Sequence, residues 1–136
     1  MDLDEARSFL AEHHRSVLIT RRSGGGVQAS PVVHAVADDG RIWISSRETA
    51  FKVRNLRRDP SAVLCAFTDR FFGPWVQVDG RAEIVFLPGA MDLLIDYYRR
   101  VAGEHDNWDD YREAMERERR CVIAIAPERA GPDRRG

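Results

Sequence analysis

Hydrophobic and polar residues alternate with a period of two along several short stretches of the chain, which is the pattern of half-buried β-strands. The longest stretch covers residues 75–86, where Val76, Val78 and Ile84 alternate with polar residues. Gly80 interrupts it and predicts a bulge, because a mid-strand glycine has no side chain to pack. Five shorter apolar runs predict further strands at residues 16–20, 27–37, 41–46, 62–69 and 120–126.

The segments between these runs predict hairpins and one sheet edge. Gly24–Gly26 and Asp38–Gly40 supply the glycines that tight turns between antiparallel strands require. Pro31 lies inside the second strand, where it cannot donate to a ladder, and so predicts a sheet edge or an open groove. Pro127 follows the last run and predicts the end of that strand. Short strands joined in this way predict a small curled sheet or barrel.

A few segments have helical periodicity instead. Leu3, Ala6 and Leu10 predict a helix at the start of the chain, and Thr49 is the predicted N-cap of a short helix that ends before Pro60. Two more helices are expected within residues 91–101 and 110–118. So few helices exclude a doubly wound parallel fold and indicate a mainly β (α+β) class.

Length and charge narrow the function classes. A chain of 136 residues is expected to form one domain, here 3–127, followed by a flexible Gly/Pro/Arg-rich tail at 128–136. With 21 basic and 22 acidic residues the net charge is −1, so nucleic acid is not an expected partner. The longest apolar run, 121–126, is too short for a membrane span. The acidic N-terminus lacks the order of a secretory signal, which predicts a cytoplasmic protein.

One segment combines residues suited to binding an anion. Ser45, Ser46 and Arg47 end the third predicted strand, and the helix that follows begins with Lys52 and Arg54. Hydroxyls, cations and helix N-terminal amides together favour an anion site. Lys52 is the chain's one lysine among 21 basic residues. Either GC-rich codons inflate arginine, or a compact ammonium is required at this position. No motif for a metal site or a serine nucleophile is found.

Several separated motifs resemble the pyridoxamine 5'-phosphate oxidase-like split barrels, over residues 3–127. The resemblance lies in Val17–Thr20, Gln28–Val32, Ser45–Pro60 and Trp75–Glu83. It is sharpest from Tyr98 to Arg120, which looks like the actinobacterial branch that uses the deazaflavin coenzyme F-420. Agreement among separated motifs is more specific than any one of them.

The resemblance implies a fold, an assembly and a set of cofactor contacts. The fold is a six-stranded antiparallel split β-barrel with a few peripheral helices, assembled as a homodimer with two cofactor sites at the interface. Ser45 and Lys52 match residues that hold the cofactor phosphate, and an arginine often found two positions before the lysine is Ala50 here. Arg47 or Arg54 is the candidate to replace that arginine. The full predicted cofactor-binding set is Gln28, Ser30, Pro31, Ser45, Ser46, Arg47, Lys52, Arg54, Trp75, Val76 and Gln77.

Within that set, Gln28 and Ser30 match the strand that lines the deazaflavin tail and ring. Trp75–Gln77 match a strand whose backbone passes beside the ring. That strand is contributed by either the same subunit or the second one. The implied activity is hydride transfer from reduced F-420 to a small conjugated acceptor, with no proton donor identified. Alternatives are an FMN-dependent oxidase or reductase of the same superfamily, a non-catalytic F-420 carrier, or a haem protein that uses His34 as axial ligand.

Overall fold

The computed structural model describes residues 1–131 as a closed barrel of six antiparallel strands with four helices around it. The strands are β1 (Arg15–Arg21), β2 (Val27–Val36), β3 (Ile42–Arg47), β4 (Ser61–Phe67), β5 (Trp75–Val85) and β6 (Arg120–Gly131). The helices are α1 (Leu3–Glu12), α2 (Phe51–Arg58), α3 (Met91–Ala102) and α4 (Trp108–Arg117). Around the barrel the order is β1-β2-β3-β6-β5-β4. The predicted fold class and the antiparallel hairpins are confirmed.

Because successive side chains of a strand point to opposite faces, the buried hydrophobic residues form two clusters. Inward side chains such as Leu18, Leu64 and Ile123 fill the barrel and are almost fully buried. On the opposite face of β3, Trp43 packs under α3 and α4, against residues that include Leu94. Helices α3 and α4 therefore cover one outer side of the barrel, whereas α1 and α2 contribute Leu10 and Leu56 to the cluster inside it.

The barrel is split between β2 and β3. These strands pair only through His34–Val36 and Ile42–Ile44, whereas residues 27–33 of β2 pair with β1 alone. Pro31 lies in this open half of β2, opposite Val17 of β1. A residue without an N–H is tolerated there because no second neighbouring strand needs a donor, so the predicted edge at Pro31 is confirmed.

The predicted end of β6 at Pro127 is wrong. The register with β5 shifts at Asp79 and Gly80, which leaves Glu128 as an extra residue between Pro127 and Arg129. The bulge accommodates the missing N–H of the proline, and pairing resumes through Gly131. Residues 128–131 therefore belong to the barrel and not to a tail, and the rest of the predicted tail, 132–136, lies outside the described residues.

The predicted N-cap of α2 is also wrong. The cap residue is Ala50, which offers no side-chain acceptor, and Thr49 is exposed before it. The Ala50 N–H donates to Arg47 O at 3.1 Å, so Thr49 is held inside a turn that precedes the helix. The first amides of α2 consequently lack a side-chain cap.

We expect Gly80→Ala to destabilise the fold by about 2 kcal/mol, measured by urea unfolding. A Cβ at position 80 would lie 2.5 Å from Ala126 O and 2.7 Å from Ile125 Cγ2, and the backbone oxygen cannot rotate away. Gly24→Ala is the matched control, because a Cβ there would meet no atom within 4 Å. Equal stability of the two variants would contradict the predicted close approach of β5 and β6.

Candidate functional site

A cavity of about 750 Å³ opens where β2 and β3 separate. Three residues of the predicted cofactor-binding set line it, each from a different element: Pro31 of β2, Ser45 of β3 and Lys52 of α2. The other lining residues are Arg15, Ser16, Val32, Val33, Phe67, Tyr97, Tyr98, Tyr111, Met115 and Arg120.

The charged residues of the cavity wall are all cations. Lys52 extends from the first turn of α2, Arg15 begins β1, and Arg120 begins β6. Within residues 1–131, Lys52 forms no ion pair with a side chain, whereas Arg15 is paired with Asp69 at 2.7 Å and Arg120 with Glu118 at 2.8 Å. Uncapped helix amides and the unpaired ammonium both favour a bound anion. This donor set fits a phosphate-bearing ligand.

Two tyrosines in the wall have their hydroxyl protons committed to backbone oxygens. Tyr97 donates to Val33 O at 2.9 Å, and Tyr111 donates to Leu94 O at 2.8 Å. Burial raises the pKa of Tyr97, against a smaller opposing effect of the Ser45 N–H, and it raises the pKa of Tyr111 to about 12. Tyr97 thus holds α3 against the split, and neither phenol ionises near neutral pH.

The aromatic wall is fixed by a cluster in which the connection between α3 and α4 takes part. Tyr98 contacts the rings of His105, Trp108 and Tyr111 at centroid distances of 5.0, 5.7 and 5.1 Å. The Arg99 guanidinium lies 4.8 Å from the Trp108 ring centroid. Edge-to-face packing of this kind resists rotation of individual rings. The cavity therefore offers a rigid aromatic surface beside its cations, suited to a flat conjugated ligand.

Four of the predicted residues have other partners and do not line the cavity. Gln28 Oε1 accepts from Asn55 Nδ2 at 3.3 Å, and the buried Ser46 hydroxyl donates to Arg47 O at 3.2 Å. Arg47 points to Glu118 at 3.5 Å, and the Arg54 guanidinium lies 5.7 Å from the ring centroid of Phe51. Arg47 and Arg54, the two candidates to supply the charge that Ala50 lacks, do not line the cavity that contains Lys52.

The remaining predicted residues lie outside the cavity wall. Ser30 is half-buried on β2, opposite Leu18 of β1. On β5, Trp75 is 46% exposed and Val76 is buried, while the Gln77 amide donates to Asp79 at 3.1 Å. These three consecutive residues of β5 contribute nothing to the cavity within their own chain.

Sequence reasoning did not assign Arg15, Arg120 or the three tyrosines to the site. The motif from Tyr98 to Arg120 carried the sharpest resemblance, and it supplies three of these wall residues. In the sequence, Tyr98 continues the apolar helical stripe of Met91, Leu94 and Ile95, and its neighbour Tyr97 lies off that stripe. Adjacent tyrosines at the end of an amphipathic stripe were the available indication of an aromatic wall.

His34 is unsuited to the axial-ligand role in the haem alternative. Its ring is fully buried, with Nε2 3.0 Å from Leu10 O and Nδ1 2.8 Å from Ser16 Oγ. The carbonyl oxygen can only accept, so Nε2 carries the proton and Nδ1 accepts from the serine hydroxyl. Burial lowers the pKa of His34 to about 4. Both ring nitrogens are occupied, and the ring joins α1 to the barrel.

Across residues 1–131, no group of three or more His, Cys, Asp or Glu side chains is arranged to hold a metal ion. None of the helices in that range has the length and apolar character needed to cross a lipid bilayer.

Comparisons with known proteins agree with the barrel fold. Among solved structures, a conserved hypothetical protein from Mycobacterium tuberculosis shares 25% identity and a TM-score of 0.79, over 96% of this chain and 82% of that one. An F-420 reductase shares 19% identity and a TM-score of 0.72, over 92% and 94% of the two chains. An FAD-binding protein from Mesorhizobium loti shares 17% identity and a TM-score of 0.64, over 96% and 90%. The family profile described as pyridoxamine 5'-phosphate oxidase matches residues 3–132, so the chain belongs to that family.

Proposed function

We propose that this protein is an oxidoreductase that transfers a hydride from reduced coenzyme F-420 to a small conjugated acceptor. The observation that carries the proposal is the cavity in which the chain's one lysine meets Ser45, two arginines and a fixed aromatic wall. The motif resemblance between Tyr98 and Arg120 favours the deazaflavin over FMN. The fold shared with an F-420 reductase is consistent with this choice.

The protein's part is to hold a planar, phosphate-bearing cofactor and to keep water from the reacting face. Lys52 Nζ and the Ser45 hydroxyl are the proposed phosphate contacts, beside the uncapped amides at the start of α2. The ring of Tyr98, fixed by its neighbours, and Met115 bound the apolar part of the cavity. The deazaflavin supplies the hydride chemistry when bound.

We assign the charge that Ala50 lacks to Arg120. Arg120 lines the cavity with Lys52, whereas Arg47 and Arg54 do not. Glu118 holds the Arg120 guanidinium through Nε at 3.2 Å and Nη2 at 2.8 Å, which fixes its direction before a ligand binds. A cation held in place loses less conformational entropy on binding than a free one.

A homodimer is part of the proposal, and the outer face of the sheet supports it. Val17, Ile19, Val63 and Cys65 face outward on the adjacent strands β1 and β4. This face continues to Trp75, an exposed aromatic side chain. Apolar patches of this kind are typical of protein–protein interfaces, which supports the proposed dimer. In the proposed dimer it brings Trp75–Gln77 of each protomer to the cavity of the other.

We expect Ile19→Arg to weaken self-association about tenfold, because the twofold axis would place a second arginine on the same apolar face. Light scattering coupled to size-exclusion chromatography over a dilution series measures the change. Glu113→Arg, on the exposed side of α4, is the control and should leave the mass unchanged. A wild-type protein that is monomeric throughout would contradict the dimer.

Tyr98 is the proposed proton donor for the reduced acceptor. Among the described residues no group accepts its hydroxyl proton, in contrast to Tyr97 and Tyr111. We expect Tyr98→Phe to lower kcat about tenfold while KM and cofactor Kd stay unchanged, since water remains an alternative proton source. Steady-state kinetics with an enone acceptor tests this, and Tyr98→Phe with unaltered kcat would remove the assignment.

The deciding experiment titrates the purified protein with F-420 and with FMN, followed by fluorescence. Tight F-420 binding with turnover of quinones or enones supports the proposal. Preference for FMN would favour the oxidase or reductase alternative, and F-420 binding without turnover of any acceptor would favour a carrier.

The two unpaired cysteines, Cys65 and Cys121, are consistent with the cytoplasm as the proposed compartment.

A further inference from the structure

A second cavity, of about 470 Å³, lies at the C-terminal end of α2, the end opposite Lys52. It shares no lining residue with the cavity between β2 and β3. Its wall contains four arginines, Arg21, Arg22, Arg58 and Arg81, and a single carboxylate, Asp59. In a chain whose net charge is −1, this is a strong local excess of positive charge.

The barrel brings these arginines together from separate elements. Arg21 ends β1, and Arg81 of β5 pairs with Ser61 at the start of β4, the strand between them. Thr20 and Gly80 are the buried neighbours of the two arginines, so both guanidinium groups project from the outer face of the sheet. The β1–β2 turn adds Arg22.

The carboxylate of the cavity leaves most of this charge unbalanced. Asp59 Oδ1 accepts from the Ser61 N–H at 3.0 Å, and its Oδ2 lies 3.9 Å from Arg21 Nε. Within residues 1–131, Arg22 and Arg81 form no ion pair with any carboxylate. Gathered like charges destabilise the folded protein, and a bound anion would relieve that repulsion.

One guanidinium is held in place before any ligand binds. Arg58 Nη2 donates to the backbone oxygen of Arg21 and lies 3.4 Å from Asn55 Oδ1. Asn55 is itself buried, and its Nδ2 donates to Thr20 Oγ1 at 3.1 Å. The direction of the Arg58 fork is therefore set by a strand carbonyl and by the buried Asn55, which lowers the entropy lost on binding.

We propose that this cavity binds a small anion with two or more oxyanion groups, either carboxylates or phosphates. The planar guanidinium fork matches both groups, and several forks around one cavity favour a multivalent ligand over a single carboxylate. The cavity shares no lining residue with the proposed cofactor site, and Arg21 and Arg81 lie at one end of the outer β1–β4–β5 face, beyond the apolar residues of the proposed dimer contact. The inference does not depend on the proposed activity.

Calorimetric titration at low ionic strength tests this with pyrophosphate and with citrate as probes. We expect wild-type protein to bind at least one probe, and the double variant Arg22→Gln/Arg81→Gln to weaken that binding at least about tenfold. Arg117→Gln, an exposed arginine of α4, should leave it unchanged, and Lys52→Ala should remove only the binding of a probe to the first cavity. Amide chemical-shift changes should centre on residues 21–25. The preferred probe identifies phosphate or carboxylate as the recognised group.

Three results would overturn the proposal: no binding of either probe, equal weakening in Arg117→Gln, or loss of binding in Lys52→Ala alone. The second would show a general charge effect, and the third would place the anion in the other cavity. Thermal unfolding of the double variant checks its fold. Unchanged F-420 binding by the double variant would show that the cofactor site is intact, so the two proposals can fail separately.

Discussion

Lys52→Ala is expected to weaken F-420 binding about 10- to 100-fold, which corresponds to the loss of a charge-assisted contact of about 1.5–3 kcal/mol. The expectation rests on the position of Lys52 in the cavity and on its lack of an ion-pair partner within residues 1–131. An ammonium with no internal partner is available to the ligand. Its removal should therefore leave the free energy of unfolding almost unchanged.

The measurement is a fluorescence titration of wild-type and variant protein with F-420. Lys52→Arg keeps the charge but replaces the compact ammonium with a larger fork, so its affinity should lie between the two. Arg117→Ala removes a cation that does not line the cavity and should have no effect. Identical affinities for Lys52→Ala and wild type would show that Lys52 takes no part in cofactor binding.

Protonation of His34 alone is expected to lower the free energy of unfolding by about 3 kcal/mol as the pH decreases from 6.5 to 4. Burial lowers the pKa of His34 from 6.5 to about 4 in the folded protein. Between these values the unfolded chain binds the proton and the folded protein does not, so acid favours unfolding. Above pH 6.5 both states are neutral at this position, and the full contribution of His34 is present.

Urea unfolding at a series of pH values measures this contribution, with His34→Gln as the matched variant. Glutamine can donate to Leu10 O and accept from Ser16, the two partners of the ring, but it does not titrate. The difference between the wild type and His34→Gln in the pH dependence of the free energy of unfolding is the contribution of the histidine. A variant with the wild-type slope between pH 4 and 6.5 would contradict the assignment.

His34→Ala is expected to destabilise the fold by about 3 kcal/mol or more at neutral pH, because Ser16 and Leu10 lose their buried partner. His13→Ala, at a half-buried position next to α1, serves as its control.

The alternating pattern by itself determined the strands and the hairpins between them. Whether a side chain points inward or outward along a strand is a local property, set by a period of two. For that reason the mainly β class was predictable. The bulge at Gly80 and the open edge at Pro31 were predictable from a residue without a side chain and a residue without an N–H. The hydroxyls at the end of β3 and the lysine at the start of α2 were predicted to form an anion site from their residue types, and Ser45 and Lys52 do share a cavity.

Closure of the barrel decided which distant residues meet. Arg15 and Arg120 line the cavity with Lys52 because β1 and β6 are brought beside the split between β2 and β3, whereas the nearby Arg47 and Arg54 turn to other partners. The continuation of β6 beyond Pro127 depends on a bulge against β5, and no local pattern encodes it. Contacts between strands far apart in sequence arise only when the sheet closes, so the composition of both cavities became visible in the tertiary structure alone.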